Sequence, residues 1–384
     1  MARLNFTNTK RWREVMGRSG FSAVLVTSPN AIFYTTGALL PAQLKASPSF
    51  AARLLEDRSA FALIPADGEP ILVVSSRDFP LVSAETWARR VESYEEVSGE
   101  AIEVVRAIIA ELHLEADQIG IEAAYTTAAD LRALRAALPS VRFIPCDAEL
   151  NLVRAVKTPF ELEILQNAGE ITAEAIWSGF QSSREGDTEK DLADRIAAAL
   201  FDLGADDIYL AVLGAGENTF HAHNRPGQRR LDRGDLVRTD FGGKFDGFAS
   251  DLARMGVVGE PTRAQADMYR MCREVQLATI ETIRPGVEAR SVYANCSRLF
   301  SERGFQLKFP HVGHAFALGG HDYPMFYPGD KTPIEVGMLF YVEPLMDHPD
   351  IGLIQIEDLV HVTADGPKIL TGSRDNNSLW SIPI

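Results

Sequence analysis

Two stretches of this sequence place carboxylates where a folded chain tolerates them least. Met338-Leu339-Phe340-Tyr341-Val342-Glu343 is an apolar strand pattern that ends in a glutamate, and Leu353-Ile354-Gln355-Ile356-Glu357-Asp358-Leu359-Val360 is a second one with a glutamate inside it. A loop centred on Asp350 predicts Glu343 opposite Glu357 across an antiparallel pair. The run from Leu236 to Asp251 reads as a strand, a turn rich in Gly and Asp, and a second strand. If that hairpin is symmetric about Phe245 and Asp246, Asp240 faces Asp251 with Cβ atoms ~4.5–5.5 Å apart. Carboxylates that close raise one another's pKa unless a cation lies between them. Two divalent ions ~3.5–4 Å apart need bridging carboxylates at about this spacing.

The histidines point the same way. Of eight, two fall in Phe220-His221-Ala222-His223 and three in the stretch from Pro310 to His321. His348 and His361 sit near the two glutamates. Imidazole is a common metal ligand and proton carrier, so clustering suggests a site. Each residue taken singly also has a structural reading. Asp240 can be a turn or capping residue, Glu343 an ion-paired strand residue, His221 an exposed side chain, and His311 a hydrogen-bonded core histidine. The joint pattern favours metal: two carboxylate hairpins and a glycine-flanked histidine within one domain.

With 384 residues, two domains are expected. Residues 1–152 alternate strand-like and helix-like patterns, which predicts an α/β layer domain. Helices are expected at Arg11–Arg18, Glu100–Leu112 and Leu131–Leu138. Strands are expected at Ser22–Val26, Ala60–Ile64, Pro70–Val74, Ile119–Ile121 and Val141–Ile144, with Asp67-Gly68 as a hairpin turn. Thr158-Pro159-Phe160-Glu161 carries helix-start chemistry and opens an α+β domain over residues 153–384. The net charge of −15 disfavours a nucleic-acid partner. No apolar run is long enough to span a membrane, and the N-terminal residues lack a secretory pattern. Three dispersed cysteines argue against a disulfide framework and for a reducing cytoplasm.

These residues resemble the pita-bread metallohydrolases, the family of Xaa-Pro aminopeptidase, prolidase, methionine aminopeptidase and creatinase. Gly234 to Gly242 with Ser250 to Arg254 is similar to that family's two-aspartate signature. Gly313-His314 and His321-Asp322-Tyr323-Pro324 look like its ligand histidine and a following substrate-side histidine. Glu343-Pro344 and Ile356-Glu357-Asp358 resemble its glutamate ligands. Ser28 to Gly37 and Arg154 to Glu161 resemble the N-terminal domain segment and the linker of the creatinase and prolidase branch. The resemblance implies a pita-bread C-terminal domain behind the α/β N-terminal one. It implies two divalent ions, Mn(II) favoured over Co(II), Zn(II) or Fe(II), held by Asp240, Asp251, His314, Glu343 and Glu357. Asp251 and Glu357 would bridge the pair, Glu343 would shuttle the proton, and His223 and His321 would stabilise the oxyanion of an attacked amide. A homodimer is implied, and residues 39–58 would form a lid or a dimer contact. Departures from the family pattern are Ala315 and Ala317 for glycines, Ala253 for a threonine, and Gln355 for an arginine. The expected function is an Xaa-Pro peptidase acting on a small peptide. The alternatives are a metal-dependent hydrolase or lyase of a small amide or other non-peptide compound, and a metal-free binding module.

Overall fold

The computed structural model describes residues 5–40, 60–95 and 101–384. Most of the segment expected to be a lid or dimer contact, residues 41–59, lies outside the described residues. The chain divides into two compact units, Met1–Arg154 and Ala155–Ile384.

The first unit is built on a six-stranded mixed sheet ordered β4-β3-β2-β1-β5-β6. Its strands are β1 (Ala23–Val26), β2 (Phe61–Pro65), β3 (Ile71–Ser75), β4 (Arg90–Tyr94), β5 (Gln118–Ile121) and β6 (Arg142–Pro145). Helices α1 (Thr9–Ser19), α2 (Pro29–Thr36), α3 (Phe79–Glu85), α4 (Ala101–Glu111), α5 (Ala128–Ala137) and α6 (Asp147–Ala155) alternate with them. The strands and helices expected from sequence all form, each within a few residues. Helices α2, α3 and α6 and strand β4 were not anticipated. For α2 the signal was present in the sequence: Ser28 accepts a hydrogen bond from the Ala31 amide, Pro29 takes the first turn, and Gly37 closes the helix in the left-handed region.

In the second unit, Thr158 and Glu161 form a reciprocal capping box that starts α7 (Pro159–Ser182). Helix α8 (Glu189–Asp202) follows. Both bury apolar residues such as Phe180, Leu192 and Ile196 against Leu213, Val237 and Phe241 of a sheet ordered β18-β10-β8-β7. Its strands are β7 (Asp207–Ala215), β8 (Leu236–Phe245), β10 (Leu252–Val258) and β18 (Trp380–Ile382), with the short β9 (Phe248–Ala249) paired to β8. A second sheet, ordered β12-β11-β13-β16-β17, is covered by α9 (Arg263–Ile280) and α10 (Ala289–Glu302). It comprises β11 (Gly313–Ala315), β12 (Asp322–Met325), β13 (Leu339–Val342), β16 (Asp358–Thr363) and β17 (Gly366–Ile369). A separate ribbon pairs β14 (Leu345–His348) with β15 (Gly352–Gln355).

The two carboxylate hairpins differ from expectation in instructive ways. In the first, Asp246 and Gly247 are the two turn residues, with φ of 51° and 89°. Positive φ at both positions is what a tight two-residue hairpin demands. The turn therefore centres one residue later than expected, and Asp240 pairs with Ala253 rather than Asp251. The slip between the two aspartates is an even number of residues, so they stay on one face as diagonal neighbours. Gly242 permits the close approach: a Cβ there would lie 2.0 Å from the Ser250 carbonyl oxygen.

In the second hairpin, Val342 pairs with Asp358 and Leu345 with Gln355. Glu343 and Glu357 thus fall opposite one another, in register with a loop centred on Asp350. They do not sit inside strands, however. They occupy a gap between two ladders, where Pro344 has no amide to donate. Gln276 of α9 fills the break, its Nε2 donating to the Val342 and Ile356 carbonyls at 2.9 and 3.1 Å. The expected loop is also shorter, because Leu345–His348 are paired.

Replacing Gln276 with Leu strands two buried carbonyls. The expected cost is about 2–4 kcal/mol, read as a lower denaturation midpoint in urea at unchanged slope. A loss under about 0.5 kcal/mol would mean that the amide does not hold the gap.

Candidate metal centre

The five sequence-predicted ligands are delivered by four local devices. Asp240 projects from mid-β8, Asp251 from the interruption between β9 and β10, and His314 from β11. Glu343 and Glu357 come from the gap that Gln276 fills. Their donor atoms converge. One each from Asp240, Asp251 and Glu357 lie within 4.8 Å of one another, as do those of His314, Glu343 and Glu357. A third overlapping group joins Asp251, His314 and His321. Glu357, Asp251 and His314 each belong to two groups, and of these the two carboxylates have the second oxygen that a ligand shared by two cations needs. Burial is nearly complete, with Glu357 at 1%, Asp251 at 5% and Glu343 at 7% exposure.

The electrostatics are those of a cluster lacking its counter-charge. Burial first, then repulsion by Asp240 and Glu343, pushes the Asp251 carboxyl well above its usual range. Burial, then Asp251, does the same to Glu357. Asp240 is raised by burial and by Glu343, with Arg238 opposing. Burial also works to raise Glu343, but the imidazoles of His314, His311 and His321 overrule it and hold it below the usual range. Burial, then His314, pulls His321 down to about 4, so it is neutral near pH 7.

The residues present fit a divalent cation pair. His314 Nδ1 lies 3.1 Å from the Ala315 carbonyl, so a proton there leaves the Nε2 lone pair free. That Nε2 is 3.3 Å from Glu343 Oε1. Two ligands of one ion at ~2.0–2.2 Å sit about 3 Å from each other. Asp240 Oδ1 is buried and meets no donor among the described residues. Oxygen-rich donors with one imidazole suit hard to borderline ions. The neighbouring Asp358 is excluded from this role, because it pairs with Arg254 at 3.2 Å and with Arg273. Arg254 also donates to the Glu357 carbonyl, and the Ala253 amide donates to Glu357 Oε2 at 2.7 Å. Adjacent acids are thereby sent to opposite tasks.

The two further histidines named from sequence sit at the open side. The His321 ring stacks on His314 at 3.8 Å between centroids. His223 is exposed on the loop after the 3-10 turn Gly216–Phe220, within electrostatic reach of His321. His311, which the sequence left open between a core and a functional role, places Nδ1 3.5 Å from Glu343 Oε1, at the site. A further group was not anticipated. Arg238 is fully buried beside Asp240 and Glu343. Its flanks, Val237 before it and Thr239-Asp240 after it, gave little sign of that burial.

The sequence matches the profile of metallopeptidase family M24 over residues 163–364 and that of the creatinase/prolidase N-terminal domain over residues 9–156. The chain belongs to metallopeptidase family M24. Among similar proteins, an Xaa-Pro dipeptidase of Pyrococcus furiosus is 30% identical over 60% of this chain, a stretch covering 66% of that relative. That is just under two thirds of its length. An Xaa-Pro dipeptidase of Lactobacillus delbrueckii is 26% identical over 96% of both chains. In fold, the chain superposes on an X-Pro aminopeptidase of Thermotoga maritima with a TM-score of 0.83 at 22% identity, covering 100% of each. A prolidase of Pyrococcus horikoshii gives 0.80 at 25% identity, covering 95% of this chain and 98% of that one. The expected fold, an α/β N-terminal domain with a pita-bread catalytic domain, is the fold found.

The raised carboxyls set a sign for pH. A carboxyl whose folded pKa is raised favours folding below its unfolded value and opposes it as pH rises through the folded value. Metal-free protein is therefore expected to gain stability as pH falls from 7.5 toward 5, so the stabilisation given by Mn(II) shrinks over that range. Asp251→Asn removes one of the two carboxyls pushed well above their usual range. Metal-free D251N should melt at least about 3 °C above metal-free wild type at pH 7.5, the shift that ~1 kcal/mol gives in a domain of this size. It should no longer respond to Mn(II). Calorimetric scans check both; a D251N protein that melts lower and still responds contradicts this electrostatic account.

Proposed function

We propose that the chain is an Xaa-Pro peptidase that uses two divalent metal ions. The observation that carries the reading is the convergence of four carboxylates, three of them buried and Asp240 partly so, and one imidazole, none of the five mated to an arginine or lysine side chain in an ion pair among the described residues. Similarity to Xaa-Pro dipeptidases, a prolidase and an X-Pro aminopeptidase favours a prolyl peptide over a small non-peptide substrate. Asp240, Asp251, His314, Glu343 and Glu357 would hold the ions, with Asp251 and Glu357 shared between them. When bound, such ions supply Lewis acidity and lower the pKa of a water from ~15.7 toward about 7.

The chain's own groups do the rest. Glu343, held as a carboxylate, takes the proton of the attacking water and passes it to the leaving nitrogen of the proline. Neutral His321 donates a hydrogen bond to the carbonyl oxygen as it becomes an oxyanion, and His223 does so from the loop side. Stacking on His314 keeps the His321 ring in place. We further infer a catalytic unit over residues 153–384 behind an N-terminal unit over 1–152, next to the division at Arg154 and Ala155. Manganese as the working metal, a homodimer and a cytoplasmic setting complete the reading. The three cysteines, all free and buried, are compatible with that setting.

The test is turnover of Xaa-Pro dipeptides and Xaa-Pro-Yaa tripeptides by protein loaded with Mn(II), Co(II) or Zn(II), against matched peptides lacking proline. Cleavage of at least one prolyl series and not of its control is expected. Cleavage of neither would sink the proposal. His321→Ala should lower kcat by about 10²-fold while leaving metal content unchanged. Loss of metal in that variant would reassign His321 as a ligand.

A further inference from the structure

Arg238 raises a question that the metal ligands do not answer. It is wholly buried on β8, two residues before Asp240, yet the contacts of its guanidinium are to neutral groups. Nη1 donates to Gln355 Oε1 at 2.6 Å, and Nη2 donates to the His221 and Ala222 carbonyls at 2.7 Å each. Gln355 Nε2 in turn donates to Asp240 Oδ2 at 3.2 Å and to Glu343 Oε2 at 3.0 Å.

An amide can face either way, and only its surroundings choose. A guanidinium carries donors and no acceptor, so it compels Gln355 to turn Oε1 toward β8 and its NH₂ toward the carboxylates. That choice consumes one oxygen of each acid. Asp240 Oδ1 is left without a donor, and Glu343 Oε1 is left facing His314 Nε2. The same guanidinium fixes the loop that carries His223. There the Asn224 amide donates to the His221 carbonyl at 3.0 Å and the His221 amide to the Asn218 carbonyl at 3.2 Å.

We propose that Arg238 is a positioning residue: through Gln355 it selects which oxygens of Asp240 and Glu343 face the cations, and through two carbonyls it ties the His223 loop to that same point. The proposal rests on the metal-site reading above. It deepens that reading by giving one buried charge two duties, metal affinity and loop order.

The two arms separate by mutation. In Gln355→Met the relay is cut while Arg238 keeps its carbonyls. In Arg238→Met both arms are cut. The probes are Mn(II) titrated calorimetrically into metal-free protein and amide hydrogen exchange at His221 and Asn224, neither of which depends on turnover. Q355M is expected to weaken Mn(II) binding at least tenfold with loop exchange as in wild type. R238M is expected to weaken it similarly and to speed loop exchange at least tenfold. The double variant should bind no worse than R238M, since both substitutions break one chain of contacts. Arg238→Lys, which keeps the charge and loses the fork, stands in if R238M does not fold, and the same pattern in milder form is expected. Wild-type affinity in Q355M, or loop exchange unchanged in R238M and R238K, overturns the proposal. A wild-type protein that takes up no cation overturns the metal-site reading along with it. Wild-type binding with equal binding in the variants overturns the positioning role alone.

Discussion

Repulsion among four carboxylates, three of them buried and Asp240 partly so, is the constraint around which the second unit is organised. Carboxyls shielded from water without a counter-charge are costly, and the fold holds Asp240, Asp251, Glu343 and Glu357 together by identifiable contacts. Gln276 spans the broken ladder between Val342 and Ile356. Arg254 and Arg273 clamp Asp358 and, through it, the adjoining Glu357. The apolar cores under both sheets supply the stability against which this strain is set.

Ordering around the cluster is hierarchical. Backbone register puts each acid within reach, and side-chain donors then decide what each one does. Glu357 and Asp358 are neighbours in sequence, yet one points to the cluster and the other to two arginines. His314 and His321 lie in one short segment, yet His314 is buried at 1% exposure and His321 remains at the open side. Such division of labour between adjacent residues is set by packing partners far away in the chain, namely α9 for Asp358 and β13 for His314.

This explains what could be read from sequence and what could not. The Glu343–Glu357 register was legible because an apolar strand on each side of one loop fixes the pairing. The Asp240–Asp251 register was misjudged by a small slip, because the turn was centred on Phe245 and Asp246, although Asp246-Gly247 carries the Asp-Gly mark of a two-residue turn with positive φ at both positions. The even slip kept both acids on one face, so the ligand set survived the error. Gln276 and Arg238 were missed for a different reason. A polar residue on a helix or strand reads as exposed unless its partners are known, and these partners are Val342, Ile356 and Gln355, remote in sequence. Capping signals, by contrast, are local, and Thr158 with Glu161 announced α7 correctly.

Cation occupancy of the cluster is the claim on which everything else turns. Anomalous diffraction from crystals grown with Mn(II) measures it directly. Two peaks about 3.5–4 Å apart, flanked by Asp251 and Glu357, are the predicted result. A map with no peak there, or with peaks only at other acidic groups, would contradict the account.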